Sequence, residues 1–108
     1  MLNKRKGYRV ERKIKIEFES NGWKVVRAGA SIGEADLICI KKRKCILLQI
    51  KSTKKKAFYY YGYAEDKLEG FPFFLIVDFG YGKIRVVKPK RRVEMADGKD
   101  MRDFLHKF

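Results

Sequence analysis

Three patterns in the sequence predict an α/β domain: an amphipathic helical stretch near the start, two apolar hairpins in the middle, and a capped helical turn at the end. The 108 residues suffice for one domain, 1–108, built on a single modest core. A hydrophobic content of 45% is too high for a disordered basic tail.

From Tyr8 to Asn21, the apolar residues Val10, Ile14 and Phe18 recur every four positions, as on one helix face, and Gly22 follows as a C′ residue. Ahead of it, Met1 to Lys6 is expected to be a frayed, flexible basic start. Trp23–Arg27 reads as a strand and 28–35, with two glycines, as a loop. The short apolar runs Leu37–Ile40 and Cys45–Leu48, joined by four basic residues, form a first hairpin. Lys54–Tyr63 is basic, then aromatic, and takes no assignment from its pattern; Ala64–Glu69 reads as a short helix stopped at Gly70. Phe73–Phe79 and Lys83–Val87, separated by Gly80-Tyr81-Gly82, form a second hairpin, and Asp100 caps a last helix, Met101–Lys107.

Charge narrows the function. Twenty-seven Lys and Arg against 13 Asp and Glu leave a formal charge of +14, which on so small a folded domain calls for a polyanionic partner. No apolar run approaches the roughly 20 residues that span a bilayer, so no membrane span is expected. With no secretory h-region after the first residues, a cytoplasmic protein is expected. Cys39 and Cys45, with one distant His, cannot assemble a zinc site, and they read as buried small apolar residues.

Pairing rules then create a site. If the first hairpin turns between Lys42 and Arg43, Ile40 faces Cys45 and Ile38 faces Leu47. One step further Asp36 faces Gln49, and Glu34 faces Lys51 if pairing persists. The opposite face holds Cys39 with Ile46, Leu37 with Leu48, and Ala35 with Ile50; the two cysteines thus lie on opposite faces, which argues against a disulfide. Both faces are apolar over most of the hairpin, as in the middle of a sheet. An Asp and a Lys at its polar end are costly to bury unless they bind something. An ordinary salt bridge is the plainer reading of that pair. Glu11 counts against it: three residues before Ile14, it borders the buried helical stripe and can reach the end where Asp36 lies. Two carboxylates so placed repel unless a cation lies between them. Oxygen from Glu11, Asp36, the Gln49 side chain and the Ile50 carbonyl suits a hard divalent ion such as Mg2+, and Lys51 would stabilise developing charge on a phosphate.

These same residues resemble a known signature. Glu11, then Gly33-Glu34-Ala35-Asp36, then Gln49-Ile50-Lys51 resemble the E…D…(E/Q)-x-K pattern of the PD-(D/E)XK, or restriction-endonuclease-like, nucleases. Lys6-Gly7-Tyr8-Arg9-Val10-Glu11-Arg12 and Gly22-Trp23-Lys24-Val25-Val26-Arg27-Ala28-Gly29-Ala30-Ser31 are most similar to archaeal-type Holliday junction resolvases, over about half the chain, Lys4 to Thr53. The resemblance implies an α/β fold with a mixed central β-sheet flanked by helices. It also implies a symmetric homodimer and a Mg2+-dependent endonuclease (with Mn2+ able to substitute) that cuts four-way DNA junctions. Glu11, Asp36 and position 49 would hold metal and Lys51 would be catalytic. Ser31 matches a loop serine that aids catalysis or contacts DNA. Gln49 stands where most resolvases have Glu, as in Mrr-type nucleases, which implies weaker metal binding; the stretch after Lys56 is shorter than in most resolvases.

Two basic clusters flank the expected site in sequence: Lys4-Arg5-Lys6 with Arg9, and Lys54-Lys55-Lys56. They are expected to grip phosphates without reading bases, together with Arg27 and Ser31. The cluster Lys88-Pro89-Lys90-Arg91-Arg92 is weighed between a DNA contact and a solvated face, the second favoured, and the Lys41–Lys44 turn, roughly 13 Å from Asp36, is read as plainly solvated. Phe58 to Tyr61 and Tyr63 either stack on unpaired bases or pack; packing is favoured, with Phe71, Phe73 and Phe74 helping a dimer. His106 is expected at the surface. Two other functions compete with the junction nuclease: another DNA endonuclease of the same fold, and a DNA-binding module without catalysis.

Overall fold

A computed structural model of the chain describes residues 2–28, 35–61 and 70–107, with side chains from Tyr8 onward. Helix α1 runs over Leu2–Ser20. It begins six residues before the expected start at Tyr8, so the basic opening has helical backbone from Leu2. The helix ends as its sequence requires. Gly22 has φ 89, its N–H donates to the Glu19 carbonyl, and the Trp23 N–H returns to Phe18.

Strands follow in the order β1 (Lys24–Arg27), β2 (Leu37–Lys41), β3 (Lys44–Ser52), β4 (Ala57–Tyr59), β5 (Phe73–Asp78), β6 (Ile84–Val87), β7 (Arg92–Glu94) and β8 (Lys99–Asp100), before helix α2 (Met101–His106). The six-stranded central sheet has the order β1-β2-β3-β5-β6-β8, and β4 pairs only with β7 in a separate ribbon. Among the described residues only the β3–β5 pairing in the sheet is parallel, so the sheet is mixed.

The first hairpin has the expected register: Ile40 pairs with Cys45, Ile38 with Leu47 and Leu37 with Leu48. Lys42 and Arg43 turn it with φ 45 and 70, the twist a two-residue hairpin loop needs. The ladder ends at Leu37, however. The Asp36 N–H donates to the Leu48 carbonyl, so Asp36 does not take the expected place opposite Gln49.

Alternation divides the sheet's two faces. Leu37, Cys39, Leu48, Ile50 and Ile76 pack beneath Val10, Ile14 and Phe18 of α1 and beneath Phe104 and Leu105 of α2, so both described helices lie on one face. Asp100 caps α2 by accepting the Arg102 N–H. Phe74, expected at a dimer surface, instead packs edge-on against Phe104 at 5.1 Å, because its strand position points it toward the helices. On the other face, Leu75, Val77 and Val87 pack with Tyr60 and Val93 of the ribbon. Nearer β1, that face is less covered: Val26 and Ile40 are exposed, so it is not apolar and buried throughout as expected. Cys39 is buried and its thiol pushed up to about 12 by burial, whereas Cys45 is only partly covered. Lys41 departs from plain solvation by donating to the Asn21 carbonyl at 2.7 Å, which pins the end of α1 to the hairpin.

Candidate active site

Asp36 is held on three sides. Its carbonyl accepts the Ala28 N–H at 2.9 Å, its N–H donates to Leu48 at 2.7 Å, and its Oδ2 accepts the Ile50 N–H at 2.7 Å. The end of β1 and strand β3 therefore fix the Asp36 backbone where β2 begins, and β3 also ties down its carboxylate. Glu11 reaches the same region from α1, because the helical stripe that buries Val10 and Ile14 sets Glu11 at its border. Its Oε1 accepts from Arg27 Nε at 2.8 Å, and its side chain is only 20% exposed. Arg27 also lies over the Tyr8 ring, 5.2 Å from its centroid.

The electrostatics show the groups sharing one neighbourhood. Burial raises the Asp36 carboxyl above its ordinary value; the Ile50 N–H opposes this, the Glu11 charge adds to it, and Lys51 and Arg27 oppose it. Four sequence segments thus converge on Asp36: α1, β1, β2 and β3.

Gln49 and Lys51 alternate with Leu48 and Ile50, so they project from the sheet face away from α1. Lys51 is exposed, whereas Gln49 is half-buried and its Oε1 accepts a hydrogen bond from the hydroxyl of Tyr60. Sequence reasoning missed Tyr60 as a partner of the site. The aromatic run signalled packing, but the alternation that turns Tyr60 inward between outward Tyr59 and Tyr61 depends on β4, a strand of three residues. It also missed the Glu11–Arg27 pair.

The oxygen donors suit a hard divalent ion. Two carboxylates, the Gln49 amide oxygen and a backbone carbonyl of Ile50 are hard ligands, and the raised Asp36 carboxyl marks a place where a cation relieves burial and repulsion. Glutamine at position 49 leaves two acidic donors, and no group of three or more His, Cys, Asp or Glu able to hold a metal occurs among the described residues.

Of the expected phosphate contacts, Lys4, Arg5 and Lys6 lie on the first turns of α1, where only the backbone is described. Arg9 is exposed one turn below Lys13, and Lys54, Lys55 and Lys56 are exposed directly after β3. Ser31, Glu34, Tyr63 and the expected helix 64–69 lie outside the described residues. A cleft of about 140 Å³ opens beside Glu11 and Arg27, lined also by Tyr8, Arg12 and Lys15.

Comparison with known proteins gives the family and the fold. Residues 2–105 match the family model described as archaeal Holliday junction resolvase (Hjc). No curated protein matches the chain. Among solved structures, the chain is similar to Archaeoglobus fulgidus Hjc, described as a Holliday junction resolvase from an archaeal hyperthermophile. The TM-score is 0.71 at 17% identity, covering 95% of this chain and 98% of that one. The likeness is one of fold, the restriction-endonuclease-like arrangement of a mixed sheet with helices.

Proposed function

Because the chain belongs to the archaeal Holliday junction resolvase family, whose members are junction-resolving nucleases, we propose that it cuts four-way DNA junctions by Mg2+-dependent phosphodiester hydrolysis as a homodimer. The observation that carries this reading is the meeting of Glu11, Arg27 and Lys51 around the strand-fixed carboxylate of Asp36.

Glu11, Asp36, Gln49 and the Ile50 carbonyl are the residues that would hold Mg2+ or, in its place, Mn2+. Bound there, the ion supplies the Lewis acidity and positive charge that phosphodiester hydrolysis requires. Asp36 cannot swing away, since its carboxylate is tied to the Ile50 amide. Lys51, whose charge acts on Asp36 and whose side chain is exposed, would offset negative charge growing on the phosphate. Arg27 orients Glu11 and shields it from Asp36. The exposed lysines Lys54 to Lys56, continuing from the strand that carries Lys51, suit the phosphates next to the cut. Arg9 and the basic first turns of α1 suit those on the other side.

A second copy supplies the second cut that a four-way junction needs. The sheet face opposite α1 favours such pairing, since Val26 and Ile40 are exposed there beside partly buried Ile38 and Phe73, with Phe71 half exposed nearby. The test uses an end-labelled immobile junction with Mg2+. Paired nicks in opposing strands are expected, lost in EDTA and in Asp36→Ala. Cleavage of linear duplex at the same rate overturns the junction selectivity, and a monomer in analytical ultracentrifugation overturns the dimer.

A further inference from the structure

The β4–β7 ribbon presents a second surface that the hydrolytic site does not use. Its inner face is core: Phe58 pairs with Val93, and Tyr60 is 4% exposed. Its outer face carries two phenol rings in solvent, Tyr59 at 51% and Tyr61 at 72% exposure. Each ring has a guanidinium beside it. Arg91 lies 4.9 Å from the Tyr61 centroid and Arg92 lies 5.9 Å from that of Tyr59. Register explains the first contact, since Tyr59 pairs with Arg92; Arg91 lies just beyond the ladder, where its carbonyl accepts the Tyr60 N–H and its guanidinium reaches the Tyr61 ring.

Such a surface fits nucleic acid better than a second copy of the chain. Lys88, Lys90, Arg91 and Arg92 lie within five consecutive residues, and a like-charged copy is repelled by them, whereas phosphates are attracted. A guanidinium holding one side of an aromatic ring leaves the other side free to stack on a base. The surface also lies next to the hydrolytic site, since Tyr60, the residue between the two exposed rings, reaches Gln49.

We propose that the outer face of the ribbon binds a DNA strand beside the branch point, Tyr59 and Tyr61 stacking on base faces left open there while Arg91 and Arg92 contact its phosphates. This extends the nuclease reading by assigning the surface that favours branched over continuous duplex DNA. In continuous duplex every base pair is stacked on both sides and offers no free face to the tyrosines; where the four arms meet, that stacking is interrupted and faces open.

The test measures equilibrium binding with Ca2+ in place of Mg2+, using an immobile junction that carries 2-aminopurine next to the branch point, and a linear duplex of equal length. The double variant Tyr59→Ala/Tyr61→Ala is expected to lose about tenfold in junction affinity and most of the 2-aminopurine fluorescence change, with duplex affinity unaltered. Its slope of log K against log salt stays that of wild type. Arg91→Ala/Arg92→Ala instead lowers that slope by about two, at about 0.9 per phosphate contact. Tyr59→Phe/Tyr61→Phe keeps the rings and therefore restores both affinity and fluorescence, which separates stacking from a folding defect. Unchanged junction affinity and fluorescence in the alanine variant, or equal losses on junction and duplex, overturn the proposal. Wild-type cleavage with Mg2+ is assayed in parallel: an uncut junction refutes the nuclease reading and leaves the binding result standing by itself.

Discussion

The Tyr60 hydroxyl donates a 2.5 Å hydrogen bond to Oε1 of Gln49, joining the β4–β7 ribbon to the central strand β3. The phenol, buried to 4% exposure, meets the amide at the amide's own oxygen. That oxygen keeps a second lone pair, so the bond orients Gln49 as an oxygen donor without using it up.

Removing the hydroxyl separates orientation from packing. Tyr60→Phe keeps the ring in its cluster with Val93 and Leu75 and costs about 1 kcal/mol of stability, the net worth of one hydrogen bond. The Mg2+ concentration for half-maximal junction cleavage is expected to rise about tenfold, as when the outer partner of a metal ligand is lost, with the rate at saturating Mg2+ largely kept. A metal titration of cleavage reads both quantities. An unshifted Mg2+ midpoint removes Tyr60 from the site.

Asp36 links function to stability through pH. Burial raises its carboxyl above the ordinary value, and the opposing Ile50 N–H, Lys51 and Arg27 do not cancel that rise. The folded chain therefore binds this proton more tightly than the unfolded chain does. The stability it contributes is fully present below the unfolded value and is lost as pH rises through the raised folded value. At neutral pH the ionised group weakens the fold, and Asp36→Asn, whose amide oxygen still accepts from Ile50, is expected to melt at a higher temperature than wild type while failing to cleave. The gap in melting temperature closes as pH is lowered past the carboxyl's titration. Mg2+ raises the wild-type melting temperature and leaves that of Asp36→Asn nearly unmoved. Thermal melts across pH, with and without Mg2+, check each part; a wild type that out-melts the variant at neutral pH contradicts the sign.

These expectations depend on features that were unequally legible in the sequence. The hairpin register followed from a four-residue basic linker and two apolar runs, because a two-residue turn leaves no freedom in pairing. The helix stripe of Val10, Ile14 and Phe18 and the Asp100 cap were equally local signals. Counting alone leads to the expectation that Glu11, Asp36, Gln49 and Lys51 share one end of the sheet; the charges of Glu11 and Lys51 do act on Asp36, whereas Gln49 is bound to Tyr60. What counting could not supply was non-local. The parallel pairing of β3 with β5 joins segments more than twenty residues apart and leaves no periodic trace. The ribbon strands of three residues are too short to show alternation, so the Tyr60–Gln49 bond stayed hidden. The Asp36 backbone also broke the simple ladder, since its carboxylate takes the Ile50 amide while its own N–H turns to Leu48.

Gly98 sets the edge of the sheet that supports α2. It has φ 63, and a Cβ built there meets the Val86 carbonyl oxygen and the Val87 side chain. The carbonyl of Gly98 also accepts from Arg85 at 2.9 Å. Gly98→Ala therefore adds a left-handed backbone penalty to a backbone clash, together about 2–4 kcal/mol. For a chain of this size the melting temperature is expected to fall by roughly 10 °C or more. Val86 and Phe104 share the core beneath α1, but Glu11 and Asp36 lie elsewhere, so cleavage at low temperature is retained. A melt paired with a cleavage assay tests this, and a variant as stable as wild type disproves the clash.

Gln49→Glu exchanges metal-free stability for affinity. The new carboxylate sits on β3 between Leu48, whose carbonyl accepts from Asp36, and Ile50, whose N–H binds the Asp36 side chain. Without metal it repels an Asp36 that burial and Glu11 already disfavour as an anion, so the variant is expected to melt below wild type at neutral pH. Tyr60 still donates to the exchanged side chain, because a carboxylate oxygen accepts as an amide oxygen does. With Mg2+ the added charge acts in the opposite direction: the midpoint for cleavage is expected to fall about tenfold, and the metal restores the lost melting temperature. The comparison needs only melts and metal titrations of the two proteins side by side. If the variant requires as much Mg2+ as wild type, position 49 does not face the ion, and the metal would be held by Glu11 and Asp36 without it.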